Sequence, residues 1–140
     1  MSDQTLYQRL GGYDAIAAST DDLLRRLLND PLLKDYWKGK SEASLRKDRQ
    51  LIVDFLVSAA GGPAFYSGRD MKTAHTGLGI TEREWDLFVD HSRAMLDHFQ
   101  VPAREQDEVL DFLNGLKGDV VGGEAGQLGE ISSATLVLGR

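Results

Sequence analysis

Apolar residues recur at helical spacing along most of this chain, and that periodicity restricts its fold more than any other feature of the sequence. Stripes at steps of three, four and seven residues span Ile16–Leu28, Leu45–Ala59, Trp85–Phe99 and Val109–Leu116. Such stripes are typical of amphipathic helices that bury one face. Residues 1–117 contain no convincing alternation of polar and apolar residues, which is the pattern of a half-buried strand. The sequence therefore predicts an all-α body.

Glycine and proline divide these stripes into separate helices. The pair Gly11-Gly12 separates a short opening helix from the first long helix. The run Gly61-Gly62-Pro63 ends the second long helix, because proline cannot continue it. Thr81 and Glu84 fit a capping box that begins the third long helix, and Pro102 is expected in the first turn of the last one.

Length and composition restrict the class of protein. The 140 residues suffice for one domain with a buried core. The formal net charge is -6, and an acidic surface is repelled by phosphate backbones, so no nucleic-acid partner is expected. Cysteine is absent, which excludes disulfides, thiolate zinc sites, iron–sulfur clusters and covalent c-type haem attachment.

The sequence also indicates where the protein works. Its first residues, MSDQTLYQRL, lack the basic and then apolar order of a signal peptide. No apolar run approaches the roughly 18 residues that span a bilayer. We therefore expect a soluble, cytoplasmic protein that has no membrane partner.

The character of the sequence changes after Lys117. Residues 1–121 are predicted to form one globular domain, and residues 122–140 a Gly-rich C-terminal tail that is mobile. Alternatively, the stretch ATLVLG within this tail docks on the body or pairs with a neighbouring chain, because it contains residues that favour strands.

The segment MKTAHTGLGIT, residues 71–81, places His75 among small residues and then breaks at two glycines. Asp70 is expected to cap the short helix, and Gly77 and Gly79 to end it. A single histidine on a short helix is most often an ordinary surface or partly buried residue. The alternative is an axial base presented to a metal or cofactor, because neutral imidazole is the commonest metal ligand.

The residues around His75 favour haem over other cofactors. Met71 and Lys72 lie four and three residues before His75, so both flank it on one side of the turn. Met71 can contact an apolar ring, and its carbonyl can accept the second imidazole N–H. Lys72 or Arg69 can approach a haem propionate.

Other chemistries fit the sequence less well. A catalytic zinc site needs about three protein ligands, and a structural one about four. His91 and His98 are the only other histidines, and their positions indicate surface or boundary residues. No nucleophile elbow, P-loop or dinucleotide-binding glycine motif occurs.

Three stretches carry a resemblance to a known family: LYQRLGGYDAIAASTDDLLRRLLNDPLL, AAGGPAFYSGRDMKTAHTGLGITEREWDLF and VPAREQDEVLDFLNGLKGDVV. In this order, they make the chain resemble a group I truncated haemoglobin over about residues 5–121. The resemblance implies an all-α, truncated globin-like two-over-two helical sandwich that encloses haem. It also implies non-covalent haem b, one per chain, with His75 as the proximal ligand of the iron.

The resemblance further implies a distal pocket on the other side of the haem. Family members commonly carry an aromatic pair where this chain has Leu23-Leu24, and the tyrosine of that pair donates a hydrogen bond to bound oxygen. Leu24 cannot do so. We therefore expect oxygen to be held more weakly, by about ten- to a hundred-fold.

Other haem contacts are implied on both sides of the ring. The family's aromatic pair after the first long helix corresponds to Tyr36-Trp37, and either ring is expected to pack against haem. Apolar and aromatic residues of later segments complete the implied pocket: Phe55, Leu56, Tyr66, Leu78, Ile80 and Phe88. Each of these has an ordinary core role as its alternative.

On the second long helix the resemblance places Asp48 and Ile52 towards the distal ligand. A carboxylate fits poorly beside a bound anion, so Asp48 alternatively turns to solvent or pairs with Lys47 or Arg49. Residues 1–74 contain no histidine, which excludes a second histidine ligand from this helix.

The implied function is the binding of O2, NO and CO at a His-ligated iron, for oxygen binding and transport or for NO detoxification. Turnover as an NO dioxygenase or peroxidase would need an external reductase, because 140 residues leave no room for such a domain. The alternatives are a haem-free globin-fold interaction module and a gas or haem sensor that acts through a partner. The chain is expected to be a monomer or a weak homodimer.

Overall fold

The computed structural model describes residues 4–121, and within this range it is helical and contains no strand. The predicted tail, residues 122–140, lies outside the described residues. Seven α-helices and one 3₁₀ helix are found there: α1 Leu6–Arg9, α2 Tyr13–Leu28, the 3₁₀ helix Lys34–Trp37, α3 Glu42–Ala59, α4 Met71–His75, α5 Glu82–His98, α6 Ala103–Gly115 and α7 Lys117–Val120. The all-α prediction is therefore confirmed. None of these helices is long and apolar enough to cross a membrane.

The predicted helix boundaries have identifiable caps. The Thr81 side chain accepts a hydrogen bond from the backbone N–H of Glu84, and the Glu84 side chain accepts one in return from the N–H of Thr81, so the predicted capping box is confirmed. Helix α3 ends just before Gly61, whose φ is +92°. The prediction for Pro102 is wrong by one residue: it is the N-cap of α6 and not part of its first turn.

Two elements were not predicted. The 3₁₀ helix Lys34–Trp37 is too short to produce a periodic stripe. The last helix is divided at Leu116, which is the C-cap of α6 and the N-cap of α7. Leu116 belongs to the apolar stripe on which the single helix was predicted, so periodicity alone does not reveal the break.

The long helices pack as two pairs, α2 with α3 and α5 with α6, and the pairs meet where α2 crosses α5. One core cluster lies where these pairs meet and consists of Leu23, Leu27, Leu33, Met95, Leu96, Leu110 and Leu113. The second lies between α2 and α3 and consists of Ile16, Ala17, Val53 and Val57. Burial of these apolar side chains stabilises the stacking of the two pairs.

Candidate functional site

Helix α4 presents His75 at its C-terminal end. The Asp70 carboxylate accepts a hydrogen bond from the backbone N–H of Thr73 at 3.3 Å, which begins the helix as predicted. After His75 the chain leaves the helix, and Gly77 has a φ of +84° that side-chain-bearing residues rarely adopt. The imidazole therefore lies on a short helix that begins at the Asp70 cap and is followed by the turn at Gly77.

The His75 imidazole has one nitrogen bonded and one without a partner. Nδ1 lies 2.8 Å from the Met71 carbonyl oxygen, which can only accept, so Nδ1 carries the proton. Burial lowers the pKa of His75 below its usual 6.5 and outweighs the Met71 carbonyl, which raises it. Within residues 4–121, Nε2 has no hydrogen-bond partner. The side chain is thus a neutral imidazole with an available Nε2 lone pair, and the predicted hydrogen bond to the Met71 carbonyl is confirmed.

The helices around this imidazole pack unevenly. Helix α4 packs against α7, and α3 packs against α2, but α3 makes few close backbone contacts with α4 or α5. Ile52 on α3, and Leu78 and Ile80 after α4, remain only partly buried. Apolar side chains left incompletely covered on α3 and in the segment after α4, together with a neutral nitrogen base on α4, fit a flat, apolar group that is held by its metal.

Four of the predicted pocket residues pack against one core cluster. Leu24, Tyr36, Trp37 and Phe88 are partly buried against the cluster at the junction of the helix pairs. The rings of Tyr36 and Trp37 meet edge to face, with centroids 6.5 Å apart. The Tyr36 hydroxyl donates to Glu84 Oε1 at 2.7 Å. Burial and that carboxylate raise the pKa of Tyr36, so its hydroxyl keeps its proton.

A second group of predicted residues lies around Phe55. Its ring contacts Tyr66 edge to face at 5.2 Å between centroids, and contacts Phe112 of α6 at 5.8 Å. The Tyr66 hydroxyl donates to the Arg69 carbonyl at 2.5 Å, which folds the loop before α4. Leu56 packs instead against the cluster between α2 and α3. These residues connect α3 to the segment that leads to His75.

The charged residues predicted for the site are exposed at the surface or form salt bridges with partners other than those expected. Asp48 Oδ2 lies 2.5 Å from Lys40 Nζ, so the partners expected for Asp48, Lys47 or Arg49, are wrong. Arg49 instead pairs with Asp21 on α2, with Nε 2.8 Å from Oδ1. Lys40 lies just before α3, eight residues before its partner Asp48. Helical spacing of three or four residues does not reveal a pair at this separation. Lys72 on α4 and Arg69, two residues before the helix, are exposed.

His91 has a partner that the sequence did not indicate. Its Nε2 lies 2.7 Å from Asp30 Oδ2, and both side chains are largely covered, with 25% of His91 and 10% of Asp30 exposed. His98 is exposed and stacks edge to face on Phe99, as expected for a surface residue. No group of three or more His, Asp or Glu side chains that could hold a metal ion is found in the described part of the chain.

Two cavities lie near the predicted pocket, and His75 lines neither of them. An apolar cavity of about 240 Å³ lies between α1, α2, the end of α3, α5 and α6. Its two hydroxyl-bearing residues, Ser19 and Thr20, already donate to carbonyls of their own helix. An open cleft of about 420 Å³ between α2 and α3 includes Leu24, Leu45, Arg46 and Arg49.

Comparisons with known proteins agree with this arrangement. A group 1 truncated haemoglobin of Mycolicibacterium paratuberculosis is 32% identical over 124 residues, covering 89% of each chain. The structure of the Tetrahymena pyriformis truncated haemoglobin in its Fe(III) form has a TM-score of 0.78 and 26% identity, and covers 85% of this chain and 99% of that one. The 2/2 haemoglobin of Synechococcus sp., described with covalently attached haem, has the same fold at a TM-score of 0.72 and 23% identity, covering 98% of this chain and 100% of that one.

The structures that this chain resembles are truncated haemoglobins with two-over-two helical packing. The predicted two-over-two fold is therefore confirmed. The sequence matches the bacterial-like globin family over residues 5–122, which includes every predicted site residue. Membership of that family implies a haem cofactor and the binding of diatomic gases. The chain belongs to the bacterial-like globin family and, within it, to the group 1 truncated haemoglobins.

Proposed function

We propose that this protein binds one haem b per chain non-covalently, with His75 as the proximal iron ligand, and that the loaded protein binds O2, NO and CO. The observation that carries the proposal is the partly buried, neutral His75 imidazole, whose Nδ1–H is held by the Met71 carbonyl while Nε2 has no partner within residues 4–121. A carbonyl bond to the second nitrogen is the usual way in which proteins orient a metal-bound imidazole.

The remaining site residues would bind and shield the haem. Trp37, Phe88 and Ile52 offer apolar surface to the ring, and Lys72 and Arg69 offer cations to its propionates. When bound, the haem iron supplies the coordination position for a diatomic gas. The apolar walls exclude water and so disfavour charged competitors.

The distal side favours rapid gas exchange over storage. Leu24 and Ile52 carry no hydrogen-bond donor. The cleft that includes Leu24 is open to the surface, and the apolar cavity can hold small apolar molecules without polar recognition. Rapid exchange suits oxygen transport, or NO detoxification supported by an external reductase, better than tight oxygen storage.

The test is haemin titration of the purified chain, followed by its absorption spectrum, for the wild type, His75→Ala and the control His98→Ala. We expect a saturable Soret band at one haemin per chain in the wild type and in the control. His75→Ala should lose or strongly alter this band, and added imidazole should restore it by supplying the missing nitrogen.

Three outcomes would contradict the proposal. No saturable band in the wild type would favour the haem-free interaction module. Identical spectra of His75→Ala and wild type would show that His75 does not bind the iron. Haem that resists extraction into acidified butanone would show a covalent bond, as described for the Synechococcus protein.

A further inference from the structure

The segment from Asp30 to Trp37, here called the distal segment, is joined to α5 by one polar contact near each end. At its start, Asp30 Oδ2 accepts from His91 Nε2 at 2.7 Å. Near its end, the Tyr36 hydroxyl donates to Glu84 Oε1 at 2.7 Å. His91 lies seven residues after Glu84, so both contacts lie on one face of the helix.

Asp30 organises the turn as well as joining it to α5. Its other carboxylate oxygen, Oδ1, accepts from the backbone N–H of Leu32 at 2.7 Å, and its carbonyl accepts from the N–H groups of Leu33 and Lys34. A change at His91 is therefore transmitted directly to the backbone of the distal segment. Among the described contacts, His91 is the only side chain that bonds the Asp30 carboxylate.

The other end is fixed to the beginning of α5. Glu84 Oε1, which accepts from Tyr36, also accepts from the backbone N–H of Thr81 at 3.0 Å. The capping box holds this carboxylate in place, so Tyr36 is attached to a rigid point and not to a freely rotating side chain. Because the Tyr36 hydroxyl is engaged here, its ring anchors the segment and its O–H is not available to a gas ligand.

Phe88 lies on α5 between the two contacts, four residues after Glu84 and three before His91. Trp37 and Phe88 pack against the same core cluster. The two contacts therefore hold the distal segment, and Trp37 at its end, against the core cluster that Phe88 of α5 also contacts. Loss of either contact frees one end of the distal segment, and loss of both frees Trp37 to move away from α5.

We propose that Tyr36 and His91 are positioning residues which, by holding Trp37 in place, keep the ligand pocket narrow enough to admit diatomic gases and disfavour larger ligands. This specificity role rests on the proposed haem function. It concerns the size of the ligand and not the attachment of haem, so the two can be tested separately.

The first test measures ligand size selectivity in the haem-loaded full-length chain. The affinities for CO and for n-butyl isocyanide are compared among the wild type, Tyr36→Phe, His91→Leu and the double variant. We expect the isocyanide-to-CO affinity ratio to rise by about five- to tenfold for each lost hydrogen bond. His91→Gln keeps an N–H donor and should restore the wild-type ratio, and the exposed His98→Leu on the same helix should not change it.

The second test measures hydrogen exchange of backbone amides in peptides that cover residues 30–37, which does not depend on ligand binding. Exchange should be faster in Tyr36→Phe and His91→Leu than in His98→Leu. Faster exchange with an unchanged affinity ratio would overturn the specificity role. Unchanged exchange would overturn the attachment itself. A wild-type chain that binds no haem would overturn the proposed function, whatever the exchange rates show.

Discussion

The glycine at position 62 gives a sharp prediction about the loop that leads to His75. A Cβ atom added there would lie 2.3 Å from Cδ1 of Tyr7 and 2.7 Å from its Cε1 and Cγ. The Tyr7 ring cannot easily move away, because its backbone N–H donates to the Ala60 carbonyl at 2.8 Å and its hydroxyl accepts from the N–H of Tyr13 at 3.1 Å. We therefore expect Gly62→Ala to destabilise the protein.

The magnitude follows from this geometry. Carbon atoms pack best at about 3.5–4.0 Å, so the ring and the loop must separate by more than ~1 Å. Overpacking of this kind costs about 1–3 kcal/mol in the free energy of unfolding. For a domain of this size such a loss lowers the melting temperature by roughly 3–10 °C.

Thermal and urea unfolding of the full-length chain would measure the effect. Gly115→Ala is the matched control, because an added Cβ there has no neighbour within 4 Å and alanine favours the helix. The variant Tyr7→Ala should remove most of the additional penalty of Gly62→Ala, since the colliding ring is gone. The reasoning would be refuted if Gly62→Ala were as stable as the wild type. It would also be refuted if Gly62→Ala lowered the free energy of unfolding equally in the wild type and in Tyr7→Ala.

Two further predictions concern the distal side and the distal segment. Leu24→Tyr should slow oxygen dissociation from the loaded protein by about ten- to a hundred-fold in stopped-flow measurements, because it adds a hydroxyl donor; an equal change in Leu24→Phe would refute this explanation. The hydrogen bond from His91 lowers the pKa of Asp30 below its usual 3.8, so Asp30 stabilises the fold above that pH and the contribution is lost as the pH falls through the lowered pKa. Between about pH 5 and 2.5, the free energy of unfolding measured with urea should therefore change less with pH in Asp30→Asn than in wild type or in the exposed control Asp107→Asn. Equal pH dependence in Asp30→Asn and wild type would contradict this role of Asp30.

The sequence predicted those features that depend on short-range chemistry. Helix-forming stripes, the Thr81–Glu84 capping box and the Asp70 cap each involve residues within one or two helical turns. The hydrogen bond from His75 to the Met71 carbonyl is of the same kind, because a residue and the fourth one before it are neighbours on any helix. Such signals can be identified without knowing how the helices pack.

The contacts that hold the distal segment have no comparable signal. Asp30 and His91 are 61 residues apart, and Tyr36 and Glu84 are 48 apart. A polar residue on a helix face is normally solvated, so neither pair can be distinguished from ordinary surface residues until the tertiary structure brings them together. The sequence therefore predicts His91 only as a surface or boundary residue and does not reveal its partner Asp30.

This difference separates the two sides of the candidate site. The proposed proximal side depends on the helix from Met71 to His75, whose cap and imidazole orientation are built from neighbouring residues. The proposed distal side depends on Leu24 and on Trp37, whose segment is attached to α5 by contacts between distant parts of the chain. If both proposals hold, substitutions at Leu24, Tyr36 or His91 should alter which ligands bind, and how fast, while haem still binds through His75.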